Sequence, residues 1–161
     1  MREHVRQVAQ VCFFDLRRLR PMRAQLVRDV TLTLVTSLVL SRLDYCNSVL
    51  AGLPASILAP LQRVLHEAAR LVDGLHPHDH VSPTLKELHW LPIKQWVDYI
   101  LCLLVHKVVV GHAPSYLTGM LIAVTDVPSR STLRAASNSD YVVPRTAQLL
   151  ENIFFRTAYC S

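Results

Sequence analysis

The sequence predicts an all-α fold: a compact bundle of about five or six helices with a loop-rich C-terminal tail. Three observations point there. Between Ile57 and Val72, apolar residues fall at Leu58, Leu61, Leu65, Ala68 and Val72, with Ile57, Val64 and Leu71 widening the stripe. That is helical spacing with a broad buried face. Glycine is scarce, at four residues, while Leu, Val and Ala abound, which favours helices over a many-turned β architecture. The chain is 51% hydrophobic with positive mean hydropathy, so 161 residues suffice for one domain with its own core.

Each element follows from local pattern. Residues 3–19 read as an amphipathic helix with Val5, Val8, Ala9, Cys12, Leu16 and Leu19 on its stripe, stopped by Pro21. Phe14 falls among the polar residues. Residues 24–50 form a second helical region with Asp29 near its start. The β-branched run Thr31–Thr36 makes a strand a competitor, but the region continues to Asn47 without turn residues, too far for a typical strand. The third helix is Ile57–Val72, entered through Pro54 and Pro60 and closed by Gly74, with Arg63 and Glu67 spaced to pair on its outer face.

A loop at 74–80 carries His76, His78, Asp79 and His80. Ser82 suits an N-cap and Pro83 the first helical position of a short helix reaching about Trp90. Trp90 is expected to be a core anchor. Ile93–Val110 is apolar nearly all round, as expected of a central helix or one covered by a partner. Gly111 ends it, and Pro114 opens a last short helix from Ser115 to about Ala123. The helical domain is thus expected over residues 1–123, and a loop-rich, partly disordered tail over 124–161.

The net charge of +5 has one location. Arg2, Arg6, Arg17, Arg18, Arg20, Arg23 and Arg28 face only Glu3 and Asp15 in the first 28 residues, while the rest of the chain is balanced. Arginine suits phosphate because its planar fork donates two hydrogen bonds at once. Arg6, Arg17, Arg18, Arg20 and Arg23 are therefore candidates for RNA or DNA backbone contact, with Arg130 and Arg134 in a Ser-rich loop as weaker ones. A solvated helix face is the competing explanation.

Other chemistry is poorly supported. Three histidines in one loop lack the four fixed ligands of a structural zinc site, so no metal or cofactor is expected. Ser82, His80 and Asp79 are sequence neighbours without a nucleophile elbow, which does not make a triad. Arg42 and Asp44 read as a structural pair by analogy with buried paired charges. The four cysteines, Cys12, Cys46, Cys102 and Cys160, are widely spaced, and three of them read as small core residues. Charged residues follow Met1 directly, and the uncharged run Val108–Thr125 is interrupted by Gly111, His112 and Pro114, so no segment reads as membrane-spanning and an intracellular setting, nucleus or cytoplasm, is expected.

Three stretches carry a resemblance: SRLDYCNSVLAGLP from Ser41, LQRVLHEAARLV from Leu61 and DHVSPTLKELHWLPI from Asp79. In order and spacing they closely resemble the segment that follows the polymerase core in reverse transcriptases of LINE-type, jockey-like non-LTR retrotransposons. The resemblance covers about Cys12 to Thr146, and includes Ser129–Arg134 with Thr132 inserted. It implies a thumb-like and post-thumb region that helps hold RNA template and DNA product. Its partners would be nucleic acid and the polymerase portion of a parent protein. The paired aspartates of the family's catalytic box are absent, since the chain has no Asp-Asp, so no enzymatic activity is expected. After Arg145 the chain departs from the family pattern, as a truncated or degenerate copy would.

Overall fold

In a computed structural model the chain is described over residues 1–45 and 47–118. These residues are helical with no strand among them. They divide into a unit covering Met1–Ile100 and a second beginning at Leu101. The division expected at 123/124 lies outside the described residues.

Helix α1, Arg2–Leu19, buries Val5, Ala9, Cys12, Leu16 and Leu19. These lie on the expected stripe, three or four residues apart, which puts them on one face. As expected, α1 ends at Leu19, just before Pro21. A 3₁₀ segment, Arg20–Gln25, holds Pro21 in its first turn, where the missing N–H costs nothing. Phe14 is exposed, with the Arg18 guanidinium 5.6 Å from its ring centre.

The β-branched run is helical. Helix α2, Arg28–Val35, continues through a π-helical turn, Thr36–Leu40, into α3, Ser41–Asp44. A ladder of hydroxyls accompanies it. Thr31 donates to the Val27 carbonyl, Thr33 to Asp29, Ser37 to Thr33 and Ser41 to Ser37. Each bond reaches back four residues, so the polar side chains are satisfied by the helix itself; such back-bonding also bends helices. A second 3₁₀ turn, Asn47–Leu50, leads out of this region.

Helix α4, Ala55–Asp73, is the spine of the first unit. Leu58, Leu61, Val64, Leu65, Ala68, Ala69, Leu71 and Val72 are buried. It packs most extensively on α1, then on α2. Gly74 ends it at φ +66°, and the Leu75 N–H closes back on the Arg70 carbonyl at 2.9 Å. That left-handed stop is what glycine makes inexpensive. The expected Arg63–Glu67 pair does not form: Glu67 instead takes Arg70 at 2.7 Å and Arg20 at 2.8 Å. A partner from another helix competes successfully with the i,i+4 neighbour because packing brings it within reach.

Helix α5, Ser82–Glu87, follows the histidine loop, with Val81 rather than Ser82 as its N-cap. Pro83 falls at the second helical position. The helix ends three residues before Trp90, because His89 adopts φ +55°. Its N–H bonds the Lys86 carbonyl, and that of Trp90 bonds the Leu85 carbonyl at 2.8 Å. This is the glycine-type stop made by a histidine. Trp90 is only half-buried, so it is not the core anchor expected from its size.

Helix α6, Ile93–Val109, does not take the central place that was one of the two settings expected of it. Only Ile93 and Val97 are buried. Tyr99, Leu103, Val105 and Val109 are exposed, so among the described residues the helix is not central. Its first N–H, from Ile93, donates to Gln62 Oε1 on α4 at 2.9 Å. Gly111, at φ +78°, closes α6, and α7 spans Ser115–Thr118. No described helix is long and apolar enough to cross a membrane.

The Gln62 amide transmits a protonation state. With its oxygen on Ile93, its Nε2 faces His66 Nε2 at 2.7 Å, so that ring nitrogen must accept. His66 is therefore neutral, with its proton on Nδ1. Burial, helped by Arg70, pushes the imidazole below its ordinary value. A depressed histidine binds its proton more weakly folded than unfolded, so stability falls as pH drops below about 6.5 and stops falling below the folded value. Melting temperature should decline from pH 7.5 to 5.5 more steeply in wild type than in His66→Gln. Equal declines would show that His66 carries none of the effect.

Candidate nucleic-acid interface

The seven N-terminal arginines do not form one free patch. Arg6 is held by Glu3, one turn away, at 2.7 and 3.1 Å. Arg28 bridges two carboxylates, Asp73 at 2.9 Å and Glu87 at 2.7 Å, tying the start of α2 to the end of α4 and to α5.

Arg23 is built into the fold. Its guanidinium donates to the carbonyls of Leu71 at 2.9 Å, Val72 at 2.9 Å and Leu26 at 3.1 Å. The last carbonyls of a helix have no intrahelical donor, and the negative end of the helix dipole lies there. A forked cation is well suited to that position.

Apart from Arg2, at the start of α1, what remains lies where α1 ends. Arg17 and Arg18 are in its last turn, both exposed. Arg17 folds back on the Phe13 carbonyl through Nε at 3.2 Å, a bond that does not occupy its terminal nitrogens. Arg20 and Arg70 share the single carboxylate of Glu67, so this trio carries one uncompensated positive charge. Arg20, Arg23, Arg70 and Glu67 line a cleft of about 240 Å³ with Leu71, Gly74, Leu75 and Pro77. Arg6 lies about 16 Å from Arg17 along the helix axis, at 1.5 Å per residue, and does not join this group. Arg130 and Arg134 lie outside the described residues.

Sequence reasoning missed Arg70. Its charge was hidden in a balanced region, and only the α1–α4 packing brings it beside Arg20. The Glu67–Arg70 spacing of three was the available signal.

Other candidates resolve as follows. Arg42 and Asp44 are both exposed and not paired with each other. Arg42 instead approaches Asp15 on α1 at 3.6 Å and donates to the Leu38 carbonyl. Of the expected structural polar cluster, Arg42 thus serves another partner and Asp44 stays apart, while Leu43 and Asn47 are the buried residues there. His76, His78 and His80 are exposed, and Asp79 accepts the His76 N–H at 2.7 Å, a turn contact. Among the described residues no three His, Cys, Asp or Glu side chains converge for a metal. Cys12 is fully buried and desolvation raises its thiol to about 11, which leaves it protonated and inert. Cys102 is exposed. Cys46 and Cys160 lie outside the described residues.

No protein-family model, curated protein or solved structure matches the chain.

Proposed function

We propose that the chain is a non-catalytic helical region of the kind that follows the polymerase core in non-LTR retrotransposon reverse transcriptases, and that it contacts RNA or DNA backbone. The observation that carries the reading is the cluster of guanidinium groups at the end of α1. Arg17 and Arg18 stand exposed in its last turn, and Arg20, just beyond it, shares the Glu67 carboxylate with Arg70. Such a surface attracts phosphate without reading sequence. Arg6 and Arg23 contribute field but have fewer donors free, because Glu3 and the α4 carbonyls occupy them. The resemblance carried by the stretches beginning at Ser41, Leu61 and Asp79 supports the family part of this reading.

The test leaves Arg23 in place. Arg17→Gln, Arg18→Gln and Arg20→Gln together should weaken binding to an RNA–DNA hybrid and to single strands alike. The salt dependence should flatten by roughly 0.7–0.9 log units for each phosphate that is no longer neutralised. Unchanged affinity with an unchanged salt slope would reduce the arginines to a solvated face.

The second reading is a helical protein-interaction module, docking on a partner such as the polymerase portion of a parent protein. It is favoured by the apolar residues that α6 leaves exposed, Tyr99, Leu103, Val105 and Val109. A fragment without independent function belongs to the same reading.

A further inference from the structure

One recess in the first unit is unrelated to the arginines. It has a volume of about 520 Å³ and is lined by the helix around the π turn, by the loop after α5 and by the start of α6. Four of its lining side chains carry aromatic rings: His89, Trp90, Trp96 and Tyr99. One is a carboxylate, Asp44, which has no hydrogen bond or ion pair among the described residues. No lysine or arginine is among the described residues that line it.

The local backbone explains why these groups meet. In an α-helix, residues five apart point in different directions; in a π turn they stack. The Ser41 N–H reaches back to the Thr36 carbonyl, five residues away, which places Thr36, Leu40 and Ser41 on one wall. Asp44 follows Leu40 by four residues, on the same side of α3. Across the recess, Trp96 and Tyr99 are three apart on α6 and share a face. The left-handed conformation of His89 turns the chain so that Trp90 enters beside them. The Gln62–Ile93 bond holds the start of α6.

Aromatic faces and a free carboxylate favour the same ligand charge. The ring quadrupole is negative on its face, and a cation of low hydration gains most from it. A methylated ammonium group is such a cation: it is positively charged, yet its surface is apolar. The nearby Arg42 does not neutralise the carboxylate, being engaged with Asp15 and the Leu38 carbonyl. The volume is that of a site for one extended side chain or small ligand, and not for a docked helix.

We propose that this recess binds a methylated lysine side chain presented by a protein partner, with Trp90, Trp96 and Tyr99 contacting the ammonium and Asp44 compensating its charge. The recess and the arginine cluster share no residue, so either site can exist without the other.

The chain has two tryptophans, and both line the recess, so intrinsic fluorescence reports on it directly. The 161-residue protein is titrated with Nα-acetyl-trimethyllysine amide, with its neutral tert-butyl isostere and with choline. Saturable change with trimethyllysine, at an affinity at least about tenfold above that for the isostere, is the expected result. Asp44→Asn should weaken the ammonium probe severalfold and leave the isostere unaffected. Tyr99→Ala, which keeps both tryptophans, should weaken the ammonium probe while the thermal melt stays near that of wild type. Equal affinity for the isostere, or no saturable response to trimethyllysine, would overturn the proposal. Choline binding as tightly as trimethyllysine would overturn the protein side chain as its ligand.

Discussion

Leu65→Ala should destabilise the protein by about 3–5 kcal/mol, a large share of what a domain of this size holds in reserve. Leu65 is entirely buried, as are Val64, Ala68, Ala69 and Val72 on the same helix. Truncation removes three carbons from water-excluded surroundings and leaves a void. The neighbours fill it poorly, because several are already small and the α1–α4 seam is held along its whole length. The measurement is denaturant unfolding of variant and wild type, with the slope m compared as well as the midpoint. A loss below about 1 kcal/mol would mean that the face of α4 is not the core. Trp90, though larger, should matter less to stability than Leu65, because it is only half-buried.

Arg23→Gln should cost about 2–4 kcal/mol, far more than expected of a basic surface residue. The substitution withdraws a charged donor from the carbonyls of Leu71 and Val72, the unpaired end of α4, and from that of Leu26. Those acceptors lie in a partly buried site beside Gly74, whose Cβ position would be 3.9 Å from Arg23 Nη2. Water replaces the missing bonds incompletely there. Arg23→Lys should rescue little, since a single ammonium cannot serve three carbonyls arranged around a fork. Arg18→Gln, by contrast, should stay within about 0.5 kcal/mol, because Arg18 is exposed and its described contact is with the Phe14 ring. If Arg23→Gln is as mild as Arg18→Gln, the capping role fails and Arg23 returns to the phosphate-binding candidates.

The contrast between Arg18 and Arg23 shows where sequence reading stops. Both stand in one run of positive charge, and by composition they are equivalent. Their roles separate only when the 3₁₀ segment after α1 turns Arg23 toward the end of a helix 48 residues away. The recess around Trp96 was equally illegible, since its walls come from residues 36–44 and 89–99 and depend on a π turn that no residue pattern announces. The left-handed stop at His89 was missed for a related reason: pattern reading looks for glycine there, as it correctly did at Gly74 and Gly111.

By itself, the sequence determined the all-α class, the faces of α1 and α4 and the glycine-closed helix ends. Those are local properties: a periodicity of 3.6 places apolar residues on one side whatever they pack against, and a positive φ selects residue type at the position itself. The tertiary structure alone decided which arginines hold the fold together, that Glu67 serves Arg20 and Arg70 rather than Arg63, and that α6 keeps Tyr99 and Leu103 in solvent. Those outcomes depend on which groups packing brings within hydrogen-bond reach, and the strength of an ionic contact falls too steeply with distance and solvent for sequence separation to predict it.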